Sequence, residues 1–396
     1  MTAATDAPPA KMPDRAATLR LLPFVAIVFL GFSTIGVSLA ALPLQVGGVL
    51  GYGAVVVGVT VALQSISTLA TRPLGGEISD TRGGKTSVLM GMASFVAAGF
   101  LYLVSAWVAA PLPSLTLLAL GRMLAGFGES AIVTGSLSWA IAIVGPAHTG
   151  RSMVWVGIAM FGAIAVGAPL GLALFGYAGF AAVAWAAIVA PTLAGALTLI
   201  LKPRRAAAGP RLPFSAVVGL VWRQGAGLAL ASVGYGGAMA FTSLMYGARG
   251  WDGAGLALTA FGGAYILARL FFGHLPDKIG GQKPAIVSAC CEVAGLAVIA
   301  LATDPRVAMA GAFFAGAGFS MVFPSLGSLA MKNVPPASRG AALGAYVAFL
   351  DIGIGLSGPI IGAIIAGFGF SAAYAFAAVA AALVVLVARG ERQVPR

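Results

Sequence analysis

What most limits the fold of this chain is a succession of apolar stretches, each near or above twenty residues long and separated by short polar breaks. Wound as an α-helix, such a stretch rises about 1.5 Å per residue and crosses a hydrocarbon core roughly 30 Å thick. No water is available there to satisfy backbone N–H and C=O groups, and a helix satisfies them internally. The pattern predicts spans near 21–46, 53–75, 86–108, 114–138, 152–176, 178–201, 224–246, 254–273, 284–303, 306–331, 340–366 and 370–389. Composition points the same way: 60% of residues are hydrophobic and 9% charged, against about 25% charged in a soluble domain. The first stretch exceeds the roughly 7–15 apolar residues of a signal peptide, so it is expected to stay as the first span. The expected fold is an all-α membrane protein of twelve transmembrane helices.

A net charge of +12 would suit a nucleic-acid binder until the basic residues are placed on the spans. With the N-terminus in the cytoplasm, the inner segments hold Arg20, Arg82, Lys85, Arg151, Lys202, Arg204, Arg223, Lys283, Lys332, Arg339 and Arg389, whereas the outer loops hold only Arg249 and Arg306. Basic residues sort to the cytoplasmic side in this way in membrane proteins, so the charge reports topology and no nucleic-acid partner is implied. Arg72 and Arg269, near inner span ends, are expected to snorkel toward the headgroups. An odd number of spans would scramble the sorting. Residues 1–18 read as a cytoplasmic tail, 19–201 as one six-helix bundle and 202–223 as a linker. The linker carries an amphipathic piece at Phe214–Trp222. Residues 224–390 read as a second bundle and 391–396 as a short cytoplasmic tail.

The two bundles are copies. Arg72-Pro-Leu-Gly-Gly76-Glu-Ile-Ser-Asp80-Thr-Arg-Gly83-Gly84-Lys85 recurs as Arg269-Leu-Phe-Phe-Gly273-His-Leu-Pro-Asp277-Lys-Ile-Gly280-Gly281, followed by Lys283, with Arg, Gly, Asp and the glycine pair matched at one offset of 197 residues. Ala125–Ser130 matches Ala315–Ser320, and Pro169 matches Pro359, both at an offset of 190. Parallel six-helix repeats of this kind place a substrate site near the midplane between the halves.

At Gly76-x-x-x-Asp80-x-x-Gly83-Gly84-Lys85 and its second copy, the chain resembles the Major Facilitator Superfamily. Its wording at Gly250-Trp-Asp-Gly253 and Phe323-Pro-Ser-Leu-Gly327 is similar to the YhhS-like bacterial inner-membrane transporters of that superfamily. Arg122-Met-Leu-Ala-Gly126 looks like the fourth-helix motif, Gly167-Ala-Pro169-Leu-Gly171 like the fifth-helix motif associated with antiporters, and Gly358-Pro359-Ile-Ile-Gly362 repeats it in the eleventh span. The resemblance implies that Gly76, Asp80, Gly83 and Lys85, with Gly273, Asp277, Gly280 and Lys283, gate the inner surface. Arg151 and Arg339 are the cationic partners it implies. Gly76 and Gly273 would let a neighbouring helix press close, because a glycine adds no side chain.

Charge inside the spans is a sharper clue, since each ionised group costs about 2.5–3.5 kcal/mol at a helix centre on insertion scales. Arg122 and Glu129 in the fourth span, Glu292 in the ninth and Asp351 in the eleventh stand out as candidates for substrate binding or proton coupling. The repeat places Ala312, Phe319 and Phe161 opposite Arg122, Glu129 and Asp351, so these charges depart from a symmetric scaffold. Gln64, Ser65, Tyr235, Thr242 and Tyr246 are further polar candidates. No nucleotide-binding loop, hydrolase motif or metal-ligand spacing occurs, and Cys290 and Cys291 are adjacent within an apolar run. The chain therefore reads as a transporter without cofactor or metal, not an enzyme. Its expected partners are a small-molecule substrate, protons and membrane lipids, and one chain is expected to suffice. Proton-coupled export leads this reading; an importer or facilitator of a small metabolite, and a non-transporting membrane sensor, stay open. Cysteines placed at Asp80 and Asp277, after Cys290 and Cys291 are replaced by serine, are expected to react with an impermeant maleimide from the same membrane face. Labelling from opposite faces would refute the duplicated topology.

Overall fold

The computed structural model describes residues 13–145, 148–204, 214–335 and 339–390; both tails (1–12 and 391–396) and most of the linker (205–213) lie outside them. The described chain runs through α1 (Asp14–Pro43), a π-helical turn (Leu44–Val49), α2 (Ala54–Arg82), α3 (Gly84–Trp107), α4 (Pro111–Val144) and α5 (Thr149–Ile200). It continues through α6 (Phe214–Ala248), α7 (Ala254–Phe272), α8 (Leu275–Ile279), α9 (Gln282–Leu301), α10 (Pro305–Ala330) and α11 (Arg339–Arg389). Ten of these helices, all except α8, are long and apolar enough to cross a membrane.

Ten continuous helices stand where twelve separate spans were expected, and the difference has a local cause. α5 runs for 52 residues and α11 for 51, about twice a crossing length, and each is broken at one point. Ala178 and Gly179 leave helical geometry in α5, with Gly179 at φ 69°, and Gly369 does so in α11 at φ 80°. Positive φ is nearly free for glycine and strained for other residues, so the chain kinks there without a polar loop. The two glycines sit at the 190-residue repeat offset, and the expected span ends at 176/178 and 366/370 fall on these breaks. Two other boundaries differ. Asp14–Thr18, read as tail, are already helical, and Phe214–Trp222 form the first turns of α6. No proline separates them from the span that follows, and Val217 and Val221, one turn apart, are fully buried.

Each half packs by the same scheme: α1 on α5, α3 on α4 and α2 on α4 in the first, matched by α6 on α11, α9 on α10 and α7 on α10 in the second. The halves meet most extensively where α2 lies along α11 and where α5 lies along α7, and more narrowly where α1 meets α6. Under the repeat the first two are versions of one contact. Without water to drive association, helices in a bilayer gain from close van der Waals approach, which small residues allow. A Cβ built on Gly358 of α11 would lie 3.3 Å from the Cα of Gly58 in α2, and one on Gly362 would lie 3.2 Å from the Cα of Val55. The sister motif in α5 serves its own half, because Gly167 and Gly171 press on Gly36 and Val37 of α1. On the perimeter, large apolar side chains such as Ile200, Leu301 and Phe368 are widely exposed, an arrangement suited to contact with hydrocarbon.

Gly358→Leu is expected to force α2 and α11 apart and to lower the melting temperature of the purified protein by several degrees, since overpacking costs about 1–3 kcal/mol. Gly76→Ala, whose added methyl meets nothing within 4 Å, is expected to leave it unchanged.

Candidate functional site

The site is built on α2. Its backbone passes so close to α4 that a Cβ on Gly126 would lie 2.8 Å from the Thr68 nitrogen, leaving no room between the helices for anything except direct hydrogen bonds. Ser67 donates to the Met123 carbonyl at 2.6 Å, and the single Thr68 hydroxyl hydrogen is shared among acceptors that include the Gln64 and Gly126 carbonyls at 2.9 and 3.1 Å. One turn further along α4, Glu129 accepts from Gln64 Nε2 at 2.8 Å and from Thr68 Oγ1 at 3.2 Å on the same Oε2.

Arg72 extends from α2 across the boundary between the halves and pairs with Asp351 in the first part of α11. Its Nε donates to Asp351 Oδ2 at 3.0 Å, and a terminal guanidinium nitrogen donates to the same oxygen. Among the described residues this is the one ion pair. The two side chains are 13% and 5% exposed, so neither has much water to fall back on. Glu129 lies within electrostatic reach of both Arg72 and Asp351. Two carboxylates and one guanidinium thus form one cluster, with Glu129 and Arg72 from the first half and Asp351 from the second. Arg72 lies roughly 15 Å of helix from the Arg82 end of α2, two to three turns inside the span.

The repeat-related position is different. Arg269 of α7, the mate of Arg72, donates to Tyr265 Oη and to the Ser320 carbonyl, both at 2.8 Å, and its Nε has no partner. Phe161 of α5 occupies the position that Asp351 occupies in α11, and the Arg269 guanidinium lies 5.9 Å from its ring centre. Tyr265 and Phe323 complete a cage at 5.4 and 5.9 Å. Beside the cage, a pocket between the halves is lined by Phe161, Ala165, Tyr235, Phe261 and Tyr265. Tyr235 stacks on Phe319 with ring centres 4.8 Å apart, and its buried hydroxyl is unpartnered.

The other candidates scatter. Arg122 is buried inside the first bundle, where one terminal nitrogen donates to the Val61 carbonyl at 2.9 Å while Nε and the other terminal nitrogen have no partner. Glu292 is buried inside the second bundle with both oxygens unpartnered, facing Gly234 of α6 and backed by Gly318 of α10. Thr242 shares a hydrogen bond with Tyr374, and Tyr246 donates to the Pro305 carbonyl, so both are spent on packing. Ser65 lies against Gly355 where α2 meets α11.

At the loop motifs, Gly83 and Gly280 end α2 and α8 with φ of 90° and 79°. The close approach expected of Gly76 belongs to Gly75, which presses on Ser130 of α4, while Gly76 faces open space. Gly273 caps α7, where a Cβ would run into the Arg269 carbonyl of its own helix. Lys85 donates to the Leu199 and Leu201 carbonyls at 2.8 and 2.7 Å, tying α3 to the end of α5. Its repeat mate is Gln282, which donates to the Ala388 carbonyl near the end of α11; Lys283, one residue on, is exposed. Asp80 is exposed on the last turn of α2. The side chains of Arg151, Asp277 and Arg339 lie outside the described residues.

Arg72 and Arg269 are the side chains that the sequence reading placed elsewhere. Their nearness to span ends suggested snorkelling; instead both turn inward onto the boundary between the halves. A signal was present, because both arginines fall in matched repeat copies and Phe161 matches Asp351.

This frame can be set beside known proteins. The Major Facilitator Superfamily profile matches residues 24–254 and 226–396. The chain belongs to the Major Facilitator Superfamily. It is 42% identical over 380 residues to an uncharacterized MFS-type transporter of Burkholderia pseudomallei strain 1106a, covering 95% of this chain and 93% of that one. It is 40% identical over 371 residues to the uncharacterized MFS-type transporter YhhS of Escherichia coli K12, covering 93% and 91%. Among solved structures the superfamily fold recurs in the human organic anion transporter MFSD10, with a TM-score of 0.72 at 14% identity over 95% of this chain and 100% of that one. It recurs also in the fucose:proton symporter FucP of Escherichia coli, with a TM-score of 0.66 at 15% identity over 96% and 100%. This member of the superfamily is thus a multi-pass membrane transporter and not an enzyme.

Removing one partner from a buried ion pair strands the other, at a cost of up to about 3–5 kcal/mol. Arg72→Gln and Asp351→Asn are each expected to lower the melting temperature of the purified facilitator, and the double variant is expected to recover most of the loss. Additive losses would show that the two side chains are not energetically coupled.

Proposed function

We propose that this facilitator is a secondary active transporter that exports a small organic solute across the bacterial inner membrane in exchange for protons. α5 and α11 each cross twice, turning at Gly179 and Gly369, which gives twelve crossings with both termini in the cytoplasm. The bundles at 19–201 and 224–390 rock about the site between them to give alternating access.

The observation that carries this reading is the Arg72–Asp351 pair with Glu129 beside it. Two carboxylates face one guanidinium, so one negative charge is left over, and a single bound proton neutralises it. A proton on Asp351 also weakens its hold on Arg72, which loosens the contact between the halves. One proton moving down 100 mV supplies about 2.3 kcal/mol, enough to bias such an equilibrium roughly 50-fold. Glu292 and Arg122 are secondary candidates for carrying charge within each bundle. Asp80, Asp277, Arg151 and Arg339 act at the inner surface, where the halves meet or part. The fifth-span motif Gly167-Ala-Pro169-Leu-Gly171 supports antiport. The central cluster is complete within one chain, so a monomer suffices.

In proteoliposomes, efflux of a transported solute is expected to accelerate at least tenfold under an imposed pH gradient. Asp351→Asn and Glu129→Gln are each expected to abolish the acceleration while leaving the protein monodisperse. Flux indifferent to the gradient would remove proton coupling, and net uptake against it would reverse the direction.

A further inference from the structure

The extensive contact between the halves occurs twice, and only one version is electrically complete. On the α2–α11 side a guanidinium meets a carboxylate. On the α5–α7 side the matched guanidinium, Arg269, meets the ring of Phe161 where the carboxylate would be. Among the described residues no Asp or Glu lies within ion-pair distance of Arg269; its partners are a phenol, a backbone carbonyl and three ring faces. A cation partnered by neutral groups alone is under-compensated, and its buried, unpartnered Nε leaves a donor unused. Its partial exposure leaves it within reach of a small molecule.

What surrounds Arg269 limits the shape of the missing anion. Phe161, Phe323 and Tyr346 follow one another with ring centres 5.6 and 5.5 Å apart, and Phe161, Tyr265 and Phe319 do so at 5.3 and 6.2 Å. Such faces favour a planar apolar body by offset or edge-on stacking. The forked guanidinium favours a planar, bidentate acceptor. Phe161 and Tyr265 belong both to the cage and to the small apolar pocket between the halves, so the charge anchor borders apolar side chains that a ring would have to part on binding.

We propose that Arg269 anchors a binding site for an aromatic carboxylate, whose carboxylate supplies on the α5–α7 side the charge that Asp351 supplies to Arg72 on the other. This names the substrate class of the transport reading above and rests on it. Such a ligand bridges α5, α7 and α10, elements of both halves, and so binds best when the halves are drawn together on that side. Arg72 is already neutralised and does not compete for the anion.

The test measures binding to the purified full-length protein by ligand-induced thermal stabilisation, using 2-naphthoate and benzoate, each against its uncharged primary amide. At least one carboxylate is expected to bind ten or more times more tightly than its amide. Arg269→Gln is expected to bring that carboxylate down to the amide's level, and Arg269→Lys to retain part of the preference. Phe161→Asp, which places an internal carboxylate opposite Arg269, is expected to lose the preference while remaining monodisperse, and decides the matter if Arg269→Gln does not fold. The proposal is overturned if no carboxylate outbinds its amide. It is equally overturned if the preference survives both Arg269→Gln and Phe161→Asp, which would leave Arg269 as a packing clasp. Proton-driven flux confined to neutral or cationic solutes would sink this inference and spare the transport reading; carboxylate binding without proton-driven flux would do the reverse.

Discussion

Asp351 is held by a guanidinium from the opposite half of the chain, in a place where neither group can turn to water. That constraint organises the molecule. An ion pair inside a low-dielectric region is costly to assemble and more costly to break one-sidedly, so its two helices are either in register or the whole boundary must rearrange. The close packing of Gly58 on Gly358 brings α2 and α11 near enough for the pair to form. The hydrogen bonds from Gln64 and Thr68 then hold Glu129 beside it. Charge from both bundles thereby meets at one point.

Much of this was legible in the residues. Long apolar runs, the sorting of basic side chains and the repeated Gly-x-x-x-Asp loop were enough for an all-helical membrane protein of two related halves. The family comparison supports that class. Asp351 and Glu129 stood out because ionisable groups are rare in such runs, and the structure brings them into one cluster. What could not be read was direction. Arg72 and Arg269 sit near span ends, where a long cationic side chain can reach either the headgroups or the interior, and only the helix rotation decides between them. Gly76 and Gly75 show the same ambiguity at shorter range: both glycines fit the pattern, and one residue of rotation gives the contact with Ser130 to Gly75. The span ends expected at 176/178 and 366/370 lie beside the breaks at Gly179 and Gly369, yet no loop separates the helices, because a single positive-φ glycine suffices.

The duplication also explains why the departures from symmetry carry meaning. Lys85 and Gln282 perform one task with different chemistry, each tying the third long helix of its half to carbonyls near the end of that half. Where mates keep a shared job, the scaffold tolerates the exchange of a cation for an amide. Phe161 and Asp351 do not share a job, and that pair is where the halves acquire different electrical character.

One asymmetry reaches the surface. Gly91 packs on Gly128 between α3 and α4, and Ser288 packs on Gly318 between α9 and α10 at the matched places. From those contacts to the hairpin tip, α3 and α4 run for 16 and 17 residues, whereas α9 and α10 run for 13 each. The first hairpin is therefore taller by about one helical turn, roughly 5 Å. With the two bundles sunk to equal depth, Trp107 at its tip reaches the height where amphipathic rings settle among lipid headgroups, and Leu301 opposite stays among the acyl chains. A bilayer of even thickness around the two bundles meets an aromatic tip on one flank and an aliphatic one on the other.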